Sequence, residues 1–211
     1  MLWTKLNLIL PTVLMLSGCA VMAPAKVVTP LQDEPSIISA IPEQLESFDY
    51  QGYRYFDENT DGFTLRYSNI GKHRLADVFI YPVSKENRAL PHDQLVMGST
   101  RATIQAIGSA VKTGQYANFN VIGAATRARG IRTVARVEAT YLRENLASYT
   151  LVYQTEYEGT LVKVRVSMPD NAANRDSEEW DRFANTLFDT IIGHIEGQGQ
   201  VALPNKERAK I

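Results

Sequence analysis

The stretch from residue 147 to residue 168 constrains the fold more than any other part of this chain. Two runs rich in β-branched and aromatic residues, 147–157 and 160–168, are separated by Glu158-Gly159. A two-residue turn ending in glycine is a favoured closure for an antiparallel hairpin, because glycine tolerates positive φ. The turn fixes a register that sets Tyr157 opposite Thr160, Thr155 opposite Val162, Tyr153 opposite Val164, Leu151 opposite Val166 and Tyr149 opposite Met168. All of these share one face, which is apolar and aromatic. The other face pairs Glu156 with Leu161, Gln154 with Lys163, Val152 with Arg165 and Thr150 with Ser167. A slip of one residue would turn Lys163 and Arg165 inward, so the register is strongly specified. A hairpin with one oily face demands a cover.

The cover is present further along the chain. Trp180, Phe183, Ala184, Leu187, Phe188, Ile191, Ile192 and Ile195 recur at helical spacing and form one continuous apolar stripe. Asp176 and Glu179 have the spacing of a capping box, and Glu178 and Glu179 suit the positive end of a helix. Upstream, residues 50–56, 63–68 and 76–83 read as strands, with the polar turn 57–62 between the first two. Residues 92–113 read as a helix whose buried stripe is Val96, Thr100, Thr103, Ile104, Ile107 and Val111, closed by Gly114. Residues 131–143 read as a strand.

The predicted order is βββαβββα. This is an α+β fold, an antiparallel sheet with two packing helices, in one domain over residues 47–196. The two halves suggest a loose structural repeat. The early strand Gly62-Phe63-Thr64-Leu65-Arg66-Tyr67, the meander strand Leu161-Val162-Lys163-Val164-Arg165-Val166 and the final amphipathic helix together resemble PsbP-like α/β/α sandwiches. That resemblance implies a binding or assembly module, although a fold by itself does not license a function.

The N-terminus carries an address. Residues 6–16 (LNLILPTVLML) form an apolar run that follows Lys5 and ends in Leu16-Ser17-Gly18-Cys19. A spanning helix needs about 20 apolar residues, so this run fits a signal-peptide core, and Pro11 weakens a helix within it. Cys19 is the single cysteine of the chain, so no internal disulfide can form. Leu16-Ser17-Gly18-Cys19 resembles the lipobox of bacterial lipoproteins. The resemblance implies a signal peptide over residues 1–18, cleavage before Cys19, and lipidation of that residue, with each buried CH₂ contributing about 0.8 kcal/mol to anchoring. Residue 20 is Ala. In lipoproteins of Gram-negative bacteria an Asp there favours retention at the inner membrane, so the resemblance implies the outer membrane, facing the periplasm. Residues 19–46 hold four prolines after the cysteine and read as a lipidated tether. Residues 197–211 read as a disordered tail.

Candidate sites are sparse. Net charge is −1, which gives no overall field for nucleic acid. Arg127, Arg129, Arg132 and Arg136 form a basic stretch. Arg132 and Arg136 share a strand face, and together with Lys163 and Arg165 they are the candidate patch for an anionic lipid, glycan or acidic partner, set against the plainer reading of a solvated sheet face. Asp57-x-Asn59-x-Asp61-Gly62 matches the opening of a calcium loop, but position 12 of that loop is Ser68 and not Glu, so a polar hairpin loop is the reading taken. His73, His92 and His194 are scattered and have no metal-ligand spacing. No nucleophile elbow or phosphate loop occurs. The expected site list is therefore Cys19 for lipidation and the four basic residues for an anionic partner, with no catalytic residue, metal or cofactor. The expected function is a non-enzymatic, membrane-anchored binding or assembly module of the cell envelope with a protein partner there. The alternatives are an envelope hydrolase with dispersed catalytic residues and a carrier of a small apolar ligand between sheet and helix.

Overall fold

The computed structural model describes residues 35–56, 62–175 and 177–198, all within the compact unit Leu31–Ile211. Cys19, the apolar run before it, most of the expected tether, Asp57 to Asp61, Asp176 and the expected tail beyond residue 198 lie outside the described residues.

The strands are β1 (Gln44–Leu45), β2 (Phe48–Tyr55), β3 (Phe63–Asn69), β4 (Arg74–Pro82), β5 (Ala117–Arg129), β6 (Arg132–Arg143), β7 (Leu146–Tyr157) and β8 (Thr160–Pro169), and the helices are α1 (His92–Lys112) and α2 (Ser177–Gln198). The strands form one antiparallel sheet in the order β1-β2-β3-β4-β8-β7-β6-β5. It consists of two antiparallel meanders joined through β4 and β8, from Leu75 opposite Ser167 to Pro82 opposite Thr160. Each meander is followed by a helix, the repeat suggested by the sequence. The β7–β8 register is the expected one, with Tyr153 opposite Val164 and Leu151 opposite Val166.

The helices lie on opposite faces. α2 lays its stripe on the apolar face of the hairpin, where Trp180, Phe183, Ala184, Leu187, Phe188 and Ile191 are fully buried with Leu65, Tyr67, Val78, Leu151 and Val164. Phe48 meets Trp180 edge-on at 5.6 Å and Phe183 at a tilt at 4.8 Å, and such aromatic pairing adds to area burial. At the N-terminal end of α2, the buried Arg74 lies 4.7 Å over the Trp180 ring and donates to Asn174 at 2.8 Å and Glu179 at 3.0 Å. Ser47 donates to the same carboxylate at 2.7 Å. Glu179 therefore clamps β4 and the chain before β2 to the helix, a use the capping-box spacing did not suggest.

α1 packs on the other face, over β5, β6 and β7. Val96, Thr100 and Ile107 are its buried residues. Thr100 donates to Gln154 at 3.2 Å, and Gln154 donates to Thr103 at 2.7 Å. The remaining space between α1 and the sheet is a cavity of about 10 Å³, the room of about one water. Gly114, at φ 76°, closes the helix by donating its N–H to Val111.

Two boundaries differ from expectation. Residues 35–46, read as tether, belong to the domain: Ile37, in the 3₁₀ turn Ser36–Ala40, and Ile41 and Leu45 join the core. The short 3₁₀ turn, flanked by Pro35 and Pro42, carries no apolar period, so the sequence hid this packing. β5 was not anticipated either. It is an edge strand, mostly exposed, with register irregularities at Ala117/Asn120 and Val121/Gly123, so it lacks the alternation that marks a half-buried strand. α2 continues to Gln198, two positions past the expected domain end.

Candidate functional site

Each helix covers only part of its face, and the parts left over hold the four predicted basic residues. The structure does not bring them together. Arg136 pairs with Tyr153, on the α2 side of the sheet, whereas Lys163 pairs with Gln154 and Phe79, on the α1 side. Arg132 lies four residues from Arg136 on one strand and shares its face, and Arg165 shares the face of Lys163. The expected single patch is two separate sites on opposite faces. The reason is the pleat: adjacent positions across β6 and β8 belong to one face only if the register agrees.

On the α2 side, the arginines are answered by carboxylates. Arg129 and Arg132 both donate to Asp189, at 2.6 and 2.9 Å. Arg136 lies 3.5 Å from Asp181, donates to the Tyr153 hydroxyl at 3.3 Å and is bonded to Glu138. Arg127 lies 3.9 Å from Asp181. Tyr149 donates to Glu138 at 2.6 Å and Tyr153 to Asp181 at 2.8 Å. Burial pushes both hydroxyls well above the usual tyrosine range, so both remain donors. Between the β5–β6 turn and the end of α2 is an open crevice of about 280 Å³ bordered by Arg129, Arg132, Tyr157, Asp189 and Glu196. Arg129 and Arg132 share the one carboxylate of Asp189 there, and Arg129 Nη1 is buried with no hydrogen-bond partner among the described residues.

On the α1 side, beside the helix and over β4 and β8, the arrangement is different. The Lys163 ammonium sits 4.2 Å from the Phe79 ring centre and 5.9 Å from that of Tyr81. The Arg165 guanidinium lies 5.9 Å from the Tyr116 ring centre and donates to its hydroxyl at 3.4 Å. Tyr116 stacks on Tyr141 at 4.5 Å. The carboxylate nearest in register, Asp77 opposite Arg165, is bound to Arg66 at 2.8 Å. Burial, together with the neighbouring Arg165 charge, lowers the Lys163 pKa to about 8. Arg165 Nε is buried and has no hydrogen-bond partner among the described residues. These aromatic companions, Phe79, Tyr81, Tyr116 and Tyr141, are not among the residues the sequence assigns to the basic patch.

The imidazole nearest a carboxylate is used structurally. His92 Nδ1 is 2.6 Å from Glu156, and its Nε2 accepts from the Thr133 N–H at 2.9 Å. An acceptor at Nε2 places the neutral ring's proton on Nδ1, where it is donated to Glu156. The other Glu156 oxygen accepts the Gly159 N–H at 2.6 Å. Both ring nitrogens are committed to pinning the start of α1 to two hairpins. His194 meets Ser36 at 3.2 Å, and His73 ends a 3₁₀ turn in left-handed conformation. Among the described residues, no three His, Cys, Asp or Glu side chains group as metal ligands.

An antiparallel sheet of two meanders with a helix on each face defines the PsbP-like α/β/α sandwich, and this domain has that fold. The solution structure of cyanobacterial PsbP (CyanoP) from Synechocystis sp. PCC 6803 superposes with a TM-score of 0.50 at 12% identity, covering 74% of this chain and 96% of that one. Protein PA94 of unknown function from Pseudomonas aeruginosa (TM-score 0.37, 11% identity, 67% and 83% covered) is also similar. So is the Saccharomyces cerevisiae Ran-binding protein Mog1p (TM-score 0.32, 8% identity, 63% and 85% covered). No known family and no curated protein matches the sequence.

Proposed function

We propose that this protein is a lipid-anchored, periplasm-facing lipoprotein of the bacterial outer membrane whose domain is a non-enzymatic binding or assembly module. The observation that carries the anchoring is Leu16-Ser17-Gly18-Cys19 at the end of a short apolar run. What supports a binding role is the way the domain spends its polar groups. Arg127, Arg129, Arg132 and Arg136 of β5 and β6 are tied to α2, and the His92–Glu156 pair is tied to backbone. The 10 Å³ left under α1 is too small for an apolar ligand. Lys163 and Arg165 are desolvated cations with no carboxylate in ion-pair range among the described residues.

The test is metabolic labelling. Cells fed labelled palmitate should label the native chain and place it in the outer-membrane fraction, while the Cys19→Ser form is unlabelled and not processed. A native chain that takes up no label and is processed normally would contradict the anchored reading. A photo-crosslinker on the α1 side of the sheet should trap a defined envelope partner.

A further inference from the structure

We propose that the shelf over β4 and β8 binds an organic oxyanion, its charged group held between Lys163 and Arg165 and its apolar body lying along Phe79, Tyr81 and Tyr116. This rests on the binding-module reading and names the ligand class for one surface of it.

Four observations converge on that surface. First, Lys163 and Arg165 are two residues apart on β8 and point to one face, with Cα atoms about 7 Å apart, a span that one phosphate or carboxylate group with its oxygens can bridge. Second, neither cation makes an ion pair among the described residues, and Asp77, the nearest carboxylate in register, is engaged by Arg66. Third, Arg165 Nε is a buried donor with nothing to donate to among the described residues, and a buried donor left alone is destabilising until an acceptor arrives. Fourth, the cations lie against ring faces and edges, so an organic body can pack beside an anion that is itself paired. Arg129 also has a buried Nη1 without a partner among the described residues, but it and Arg132 share the Asp189 carboxylate, whereas Lys163 and Arg165 have none.

The site carries its own pH signature. Groups facing Lys163 are Arg165 on its own strand, Asp77 and Tyr81 on β4, Gln154 and Glu156 on β7, and Ser99 of α1, which bonds Tyr81 at 3.1 Å. Asp77 and Glu156 are occupied by Arg66 and His92. With its pKa near 8, the ammonium loses charge as pH rises past that value, and affinity for an anion falls with it.

The experiment uses the mature chain, residues 19–211 with Cys19→Ser, so that neither the signal segment nor a lipid contributes to vesicle binding. Phenyl phosphate is titrated by calorimetry at pH 7 and pH 9, with phenol as the neutral control, and co-sedimentation is measured with phosphatidylcholine vesicles with and without phosphatidylglycerol. The expected result is saturable binding of phenyl phosphate or of the anionic vesicles, weaker at pH 9, with no binding of phenol or neutral vesicles. Lys163→Gln and Arg165→Gln should each weaken it about tenfold or more. Lys163→Arg should retain binding, which separates loss of charge from loss of fold, and Arg132→Gln on the opposite face should leave it unchanged. Binding by vesicles alone makes the oxyanion a lipid headgroup, and binding of phenyl phosphate alone makes it a soluble ligand. Absence of both, or equal loss in Arg132→Gln, overturns the site while leaving palmitate labelling and partner crosslinking to judge the broader reading.

Discussion

On the β5–β6 half of one face, Arg127, Arg129, Arg132 and Arg136 meet Asp181, Asp189 and Glu138, whereas on the β4–β8 half of the other face Lys163 and Arg165 meet Phe79 and Tyr116. Both halves are basic in sequence. The difference comes from the helices. α2 turns its aspartates toward β5 and β6, whereas α1 meets Tyr81 of β4 through Ser99 and Gln154 of β7 through Thr103, with no carboxylate in either contact. A cation with a partner supports the fold. A desolvated cation without one costs stability and is retained where it has something to bind. The two regions should therefore respond to mutation with opposite signs.

The largest effect should come from loosening the helix that supplies the carboxylates. Phe183, fully buried against Phe48 and Tyr67, should cost about 3–5 kcal/mol when replaced by Ala, measured by urea unfolding. Lys163→Met should act in the opposite direction, raising stability at pH 7 by up to roughly 3 kcal/mol, since the ammonium is held in its charged form against its desolvation. Arg136→Ala should cost about 2 kcal/mol, because it strips Glu138, Tyr153 and Asp181 of a shared partner in a half-buried network. Asp189→Asn should cost less than about 1 kcal/mol, because the carboxylate is half exposed. That cost should shrink further at high salt. A stabilising Arg136→Ala or a strongly destabilising Lys163→Met would dissolve the contrast between the two faces.

Much of the fold was legible because its period is strong. The Glu158-Gly159 turn fixed the β7–β8 register, and the α2 stripe named its own core. The basic residues split between two faces because the β6 and β8 registers set Arg136 opposite Tyr153 and Lys163 opposite Gln154. A signal for it exists in the sequence: Glu144-Asn145 forms a second two-residue turn, both residues at positive φ, with Arg143 opposite Leu146. Counting back from that turn sets Arg136 opposite Tyr153, on the apolar face, while the first hairpin sets Lys163 opposite Gln154. The aromatic company of Lys163 was not legible, because Phe79 reaches it through the β4–β8 pairing, which joins strands about 80 residues apart in sequence. β5 and the Ile37–Leu45 segment escaped notice for a common reason, the lack of a repeating apolar spacing in edge strand and 3₁₀ backbone.

The measurement closest to the central claim is the pH dependence of the stability difference between the native domain and Lys163→Met. The folded pKa of Lys163 is about 8 and the unfolded value is about 10.4, so between these the unfolded chain binds the extra proton and the native protein gains stability as pH rises. Urea unfolding should show Lys163→Met ahead below pH 8 and the gap closing by about pH 10. A Lys163→Met protein that is the less stable of the two at pH 7, with a gap that does not change with pH, would mean that the ammonium is a structural support on its aromatic rings and not a charge waiting for a ligand.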